Sequence, residues 1–89
     1  MIKNDTTISN KLGLHARASA KLTKLAGSFS SEVHLARSGR RVNAKSIMGV
    51  MMLAAGQGTE VDVEVEGPDE DRAMASLLEL INGRFGEAE

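Results

Sequence analysis

Thr59-Glu60-Val61-Asp62-Val63-Glu64-Val65-Glu66 is the stretch that settles the architecture. Valine and acid alternate, which places Val61, Val63 and Val65 on one face of an extended chain and carboxylates on the other. A strand of this kind has one side against a core and one side in water, as in an antiparallel sheet covered on a single face. Gly56-Gln57-Gly58 turns the chain into it. Pro68-Asp69-Glu70-Asp71 follows, and proline with acids there starts a last helix, whose buried stripe is Ala73, Met74, Leu77, Leu78 and Ile81. Gly83 to Glu89 reads as a fraying tail.

Toward the N-terminus, Glu32-Val33-His34-Leu35-Ala36-Arg37 alternates in the same way, Ser38-Gly39 turns, and Arg40-Arg41-Val42-Asn43 returns as a hairpin partner. A short apolar helix should run from Ser46 or Ile47 to about Leu53, with Ser46 as its N-cap. Ile2 to Ser9 reads as a first strand and Asn10 to Gly13 as a turn. A helix follows from Ala16 to about Ala26 and ends at Gly27, its apolar face formed by Ala20, Leu22, Leu25 and Ala26, with Lys21 and Lys24 directed elsewhere. The order β-α-β-β-α-β-α predicts an α+β fold, a four-stranded antiparallel sheet with all helices on one face. At 89 residues the whole chain, 1–89, reads as one domain.

Composition narrows the function. So short a chain has no room for a deep cleft, so its function should sit on the surface. The formal charge of -1 gives no drive toward nucleic acid or anionic lipid, and two phenylalanines, Phe29 and Phe85, make no base-stacking platform. The absence of cysteine excludes disulfides and thiolate metal sites. Met1 to Ile8 lacks the apolar stretch of a signal peptide, and no segment approaches the roughly 18 apolar residues of a membrane span, so a cytoplasmic protein is expected.

Against that background Gly13-Leu14-His15-Ala16-Arg17 stands out, because it sets an imidazole at a helix start with a guanidinium two positions on. A helix start offers unpaired N–H groups and the positive end of the peptide dipoles, which suit a phosphate. A neutral imidazole is also a nucleophile. The backbone of Ala16 and Arg17 could hold phosphate oxygens, and the forked Arg17 side chain could neutralise them. The bland alternative is an ordinary surface histidine beside an exposed first-turn cation. His34 fits that description, lying at a polar-facing strand position with no glycine, helix start or adjacent arginine around it. A metal site on His15 and His34 would need a further ligand, and none is spaced to supply it.

Asn43-Ala44-Lys45-Ser46-Ile47-Met48-Gly49-Val50-Met51-Met52-Leu53 is the second constellation. Its apolar residues exceed what one short helix can bury. Leu53, Val50 and one methionine are expected inward, with Ile47, Met48 and Met51 at least partly outward as a partner patch. The alternative is that Met51 and Met52 mostly fill the core. Ser46 is also a position where a phosphate would meet a helix dipole.

These two motifs together resemble HPr, the small phosphocarrier family of the bacterial phosphoenolpyruvate-dependent phosphotransferase system, over essentially the whole chain. The resemblance implies an open-faced β-sandwich with three helices over a four-stranded sheet. It implies that His15 accepts a phosphoryl group at Nδ1 from phosphorylated enzyme I, assisted by Arg17, and passes it to a histidine of an enzyme IIA protein. It implies Ser46 as a regulatory phosphorylation site where an HPr kinase/phosphorylase is present. The docking surface it implies is Ala20, Lys24, Lys45, Ile47, Met48 and Met51. No cofactor is implied, the protein is a carrier rather than an enzyme, and monomer is the default state. The usual motif has proline after the arginine, whereas here Ala18-Ser19 follows, which is more like NPr, the paralogue of the nitrogen-related branch. The competing readings are a sugar-transport carrier, a protein-binding regulatory domain that is never phosphorylated, and a ferredoxin-like ligand-binding module. The last ends on a strand, whereas this chain ends on a helix.

Overall fold

The computed structural model describes residues 1–87 and sets out strands β1 (Ile2–Thr7), β2 (Glu32–Arg37), β3 (Arg40–Asn43) and β4 (Glu60–Glu66) with helices α1 (Ala16–Gly27), α2 (Ile47–Met51) and α3 (Glu70–Asn82). The strands form one antiparallel sheet in the order β1-β4-β2-β3. The fold is thus the expected α+β arrangement. Central β4 pairs Val65 with Ile2 on one side and with Val33 on the other. Val61, Val63 and Val65 are buried with Val33 and Leu35 of β2 beneath the helices, while Glu60 and Glu66 are exposed. Each such valine or leucine contributes about 1.5–3 kcal/mol relative to leaving it in water. The opposite face carries surface ion pairs, Arg41 with Glu64 at 2.9 Å and Lys3 with Asp62 at 3.8 Å, of small energetic consequence.

Helix α1 is rotated from the expected phase. Ala18, Ser19, Leu22 and Ala26 are its buried residues, whereas Ala20 is exposed and Leu25 only half-buried. Ala18, Leu22 and Ala26 recur at intervals of four and make a narrower seam than the one read through Ala20. Ser19 tolerates burial because its hydroxyl donates to the Leu14 carbonyl at 3.1 Å. Leu78 of α3 is likewise half-buried beside a stripe of Ala73, Met74, Leu77 and Ile81.

The expected fraying of the tail does not occur between Gly83 and Glu87; Ala88 and Glu89 lie outside the described residues. Arg84–Gly86 forms a 3₁₀ turn, and Phe85 is fully buried. Phe85 continues the α3 stripe one turn beyond Ile81, which the sequence spacing could have revealed. Arg84 (φ 58°) and Phe85 (φ 56°) are both left-handed without being glycine. That conformation costs of order 1 kcal/mol or more per residue, which burying the phenyl ring offsets. Lys21 Nζ also donates to the Phe85 carbonyl at 2.7 Å.

Asp69 precedes α3 but does not cap it with its side chain. Its carboxylate instead accepts from the N–H groups of Ser30 and Ser31, each at 2.9 Å, and from the Ser31 hydroxyl. These bonds, the Ser31 hydroxyl first, lower its pKa from 3.8 to about 2. A carboxyl whose pKa is depressed by folding adds stability above the unfolded value, and this is lost as pH falls through the folded one. Urea unfolding of the protein should therefore show stability declining from about pH 4 toward about pH 2, and Asp69→Asn should remove the Asp69 share of that slope while lowering stability at neutral pH.

Candidate functional site: an imidazole at the start of α1

The turn before α1 is fixed by close backbone contact. Gly13 has φ +65°, and a Cβ there would lie 2.4 Å from the Ala55 carbonyl oxygen, so only glycine fits without a shift. Leu14 N–H donates to that same carbonyl at 2.9 Å, and Asn10 Nδ2 donates to the Gly13 carbonyl at 2.8 Å. Asn10 is fully buried and Leu14 nearly so. His15 is thus delivered to the helix start by a turn anchored on both sides.

His15 is itself the N-cap of α1. Its carbonyl takes the first helical bond from Ser19 N–H at 2.9 Å, and its Nδ1 accepts from Arg17 N–H at 3.3 Å. On the other side of the ring, Nε2 lies 2.6 Å from Glu87 Oε2. Nδ1 faces a donor and Nε2 faces a carboxylate, so the network assigns the proton to Nε2 and leaves a lone pair on Nδ1. The Asn10 amide, followed by the His15 ring, holds the Glu87 carboxyl below the usual carboxylate range. Lys11, Leu12, His15, Ala16, Arg17 and Glu87 line one shallow, open depression. Ala16 and Arg17 are exposed, with Arg17 beside the ring and free of an acid in the first turn.

Ser46 is the N-cap of α2, its Oγ accepting from Gly49 N–H at 3.1 Å, and it is exposed. The helix stops at Met51, short of the expected Leu53, and its end is held by side chains. Arg37 Nη1 donates to the Leu53 and Ala54 carbonyls, and Arg40 Nη1 to that of Met52. Val50 and Leu53 are buried, as expected, and Ile47, Met48 and Met51 face outward. No methionine of this run turns inward, however: Met52 is 59% exposed, because the buried side of so short a helix is filled by Val50 alone. Leu12, at 68% exposed, was not anticipated as part of the apolar surface. Ala20 and Lys24 are exposed on α1, and α1 packs against α2. Lys45 is half-buried, its Nζ donating to the Phe29 carbonyl at 3.0 Å, so its charge is engaged within the fold. His34 lies apart on β2, half-buried and registered opposite Asn43 and Glu64. Among the described residues no group of three or more His, Cys, Asp or Glu could hold a metal ion. No helix among them is long and apolar enough to cross a membrane.

Glu87 and Asn10 are the site residues that the sequence did not disclose. Asn10 was visible only as a turn former, and Glu87 sits in a segment whose return depends on Phe85.

A small covered sheet with a histidine capping an exposed helix start is a layout suited to handling phosphoryl groups at a surface. Residues 2–83 match the family model described as "PTS HPr component phosphorylation site". The chain is 67% identical over 89 residues to phosphocarrier protein HPr of Cupriavidus necator and 56% identical over 89 residues to that of Neisseria meningitidis serogroup A, with both chains covered in full in each case. Among solved structures, HPr-C-His from Thermoanaerobacter tengcongensis superposes with a TM-score of 0.96 at 43% identity, covering 100% of both chains. HPr from Bacillus anthracis superposes at 0.87 with 35% identity, covering 90% of this chain and 95% of that one. The chain belongs to the HPr family, and it is an HPr-type phosphocarrier of the phosphotransferase system, a carrier and not a catalyst. The family implies enzyme I and enzyme II components as its partners.

The Ser46 cap carries its own prediction. Ser46→Ala should cost about 1 kcal/mol, as loss of an N-cap hydroxyl typically does. In hydrogen exchange the Gly49 amide should lose protection by roughly fivefold, with amides of β4 unchanged.

Proposed function

We propose that His15 is the residue that carries the phosphoryl group, through Nδ1, within a single domain spanning residues 1–89. The observation that carries this reading is the Nδ1 lone pair directed at the start of α1, 3.3 Å from Arg17 N. When Nδ1 bonds phosphorus, that N–H loses its ring partner. It becomes available, with the Ala16 N–H, to the phosphate oxygens, so one donor serves both states in turn. The exposed Arg17 guanidinium supplies a forked counter-charge on the same side.

Enzyme I is the donor and an enzyme IIA protein the acceptor, with both docking on Ala20, Lys24, Lys45, Ile47, Met48 and Met51. Four exposed apolar side chains on and after α2 favour this surface, and methionine accommodates two different partners because its chain repacks readily. A carrier must release each partner quickly, which suits an interface at or below about 1,200 Å². Exposed Ser46 at the edge of this patch is a regulatory phosphorylation site for an HPr kinase/phosphorylase, because a charge there would face apolar partner surface. The protein acts as a cytoplasmic monomer.

Within the system we assign the chain to the nitrogen-related branch. Ala18-Ser19 after the arginine supports this, and Ala18 keeps an N–H that proline would remove. A sugar-transport role is the second reading, favoured by relatives that are called HPr. Competing the two kinds of enzyme IIA for the phosphorylated protein decides the branch, since the nitrogen-related acceptor should take the label faster.

Incubation with phosphoenolpyruvate and enzyme I, followed by intact mass measurement, should show one acid-labile phosphoryl group. His15→Ala should abolish it without changing the fold, and persistent labelling in that variant would contradict the assignment. Arg17→Ala should slow transfer by about tenfold without preventing it. That is less than the roughly 10²–10³ lost with an enclosed oxyanion donor, because this guanidinium is exposed.

A further inference from the structure

Helices α1 and α3 pack against each other and leave an open groove along their line of contact. Two depressions of about 350 and 420 Å³ make up this groove and share Leu25 and Leu80, one half-buried leucine from each helix. Both leucines pack on the core below and stay open above. Lys21, Lys24 and Ser28 form the α1 rim, and Ser76 and Glu79 the α3 rim. Each rim extends over roughly two helical turns, or about 10 Å. The charges on the two rims do not meet across the floor. Lys24 and Glu79 are exposed, and among the described residues neither enters an ion pair or a side-chain hydrogen bond. Lys21 Nζ donates to the Phe85 carbonyl at 2.7 Å, which fixes its charge at the closed end of the groove and leaves two ammonium protons unused. The depression around His15 shares no residue with this groove.

We propose that the α1–α3 groove is a second docking site, and that its occupant is an amphipathic helix of a partner protein with acids along one flank and bases along the other. Charge complementarity carries the choice. Two ammonium groups line one rim and a carboxylate the other, with leucines between them, so the matching surface is an apolar stripe edged by opposite charges. Shape agrees with this. A small ligand is held by enclosure over most of its surface, which an open trough does not provide. A helix laid along two others makes its contacts through a single stripe, and leucines one turn apart on it would meet Leu25 and Leu80. A contact of two turns is small, so binding is weak and quickly reversed. Lys24 also belongs to the face proposed for enzyme I, so the groove borders that face, but a helix seated between α1 and α3 leaves His15 uncovered. The site would let a partner hold the carrier without blocking its histidine. This goes beyond the carrier reading and does not depend on it.

The probe is a stapled helical peptide with leucines at i, i+4 and i+7, glutamates along one flank and arginines along the other, titrated into the full nitrogen-15-labelled chain. Amides of Leu25, Ser28, Leu80 and Gly83 should shift in fast exchange, while those of Ala16, Met48 and Met51 stay in place. A control peptide with arginine on both flanks should bind about fivefold more weakly, the upper range for exposed charge pairs. Leu80→Ser should weaken the probe about tenfold through the lost apolar contact. Glu79→Lys, an exposed change that leaves the core intact, should weaken it about threefold. Several results overturn the proposal: shifts centred on Met48 and Met51, equal binding of the two peptides, or an unchanged affinity in both variants. It is overturned as well if the groove amides move with protein concentration in the absence of peptide, which assigns the groove to a second copy. Decanoate shifting them at lower concentration than the probe assigns it to a small amphipathic anion and overturns the proposal in the same way.

Discussion

Helix α1 begins with an imidazole where most helices begin with a hydroxyl, an amide or a carboxylate. The arrangement of the site follows from that substitution. An N-cap side chain must accept from the second or third helical N–H, so the cap position itself turns Nδ1 toward the Arg17 amide. The acceptor that ends the helix and the nucleophile that would attack phosphorus are the same lone pair. A serine cap would be a poor nucleophile there, and an aspartate cap would repel phosphate.

The rest of the fold serves to hold this cap at the surface. The four-stranded sheet supplies a rigid floor, and its carboxylates, including Glu60 and Glu66, lie on the face away from the helices. Gly13 lets the preceding turn sit against the Ala55 carbonyl, closer than any side chain allows. That contact joins the histidine loop to the segment leaving α2, so the proposed phosphate site and the apolar patch share a support. Helix α2 is too short to be stable from its own hydrogen bonds. Ser46 at one end and Arg37 and Arg40 at the other satisfy its terminal groups, which allows it to display Ile47, Met48 and Met51 rather than bury them.

The fold was legible because alternation and turn chemistry agreed. Val61, Val63 and Val65 fixed the inward face of β4, and Ser38-Gly39 fixed the hairpin. The motif around His15 was legible for a similar local reason, since a glycine turn, a histidine and a helix start are contiguous in sequence. What escaped reading depends on contacts distant along the chain. Asn10 and Glu87 are 77 residues apart, and nothing at either position announces the other. Phe85 was obscured by the glycines beside it, and its left-handed backbone is stable only because the core receives the ring. The phase error in α1, which counted Ala20 as buried in place of Ala18, arose because alanines at neighbouring positions give periodicity little to distinguish.

The central claim is that a phosphoryl group on Nδ1 is held by the open end of α1. Phosphorus-31 and nitrogen-15 NMR of the phosphorylated protein test it most directly. The account requires phosphorus–nitrogen coupling at His15 Nδ1 together with downfield shifts of the Ala16 and Arg17 amide protons as they exchange ring or water for phosphate oxygen. Coupling at Nε2, or a phosphorylated ring that leaves both amides where they were, would contradict it.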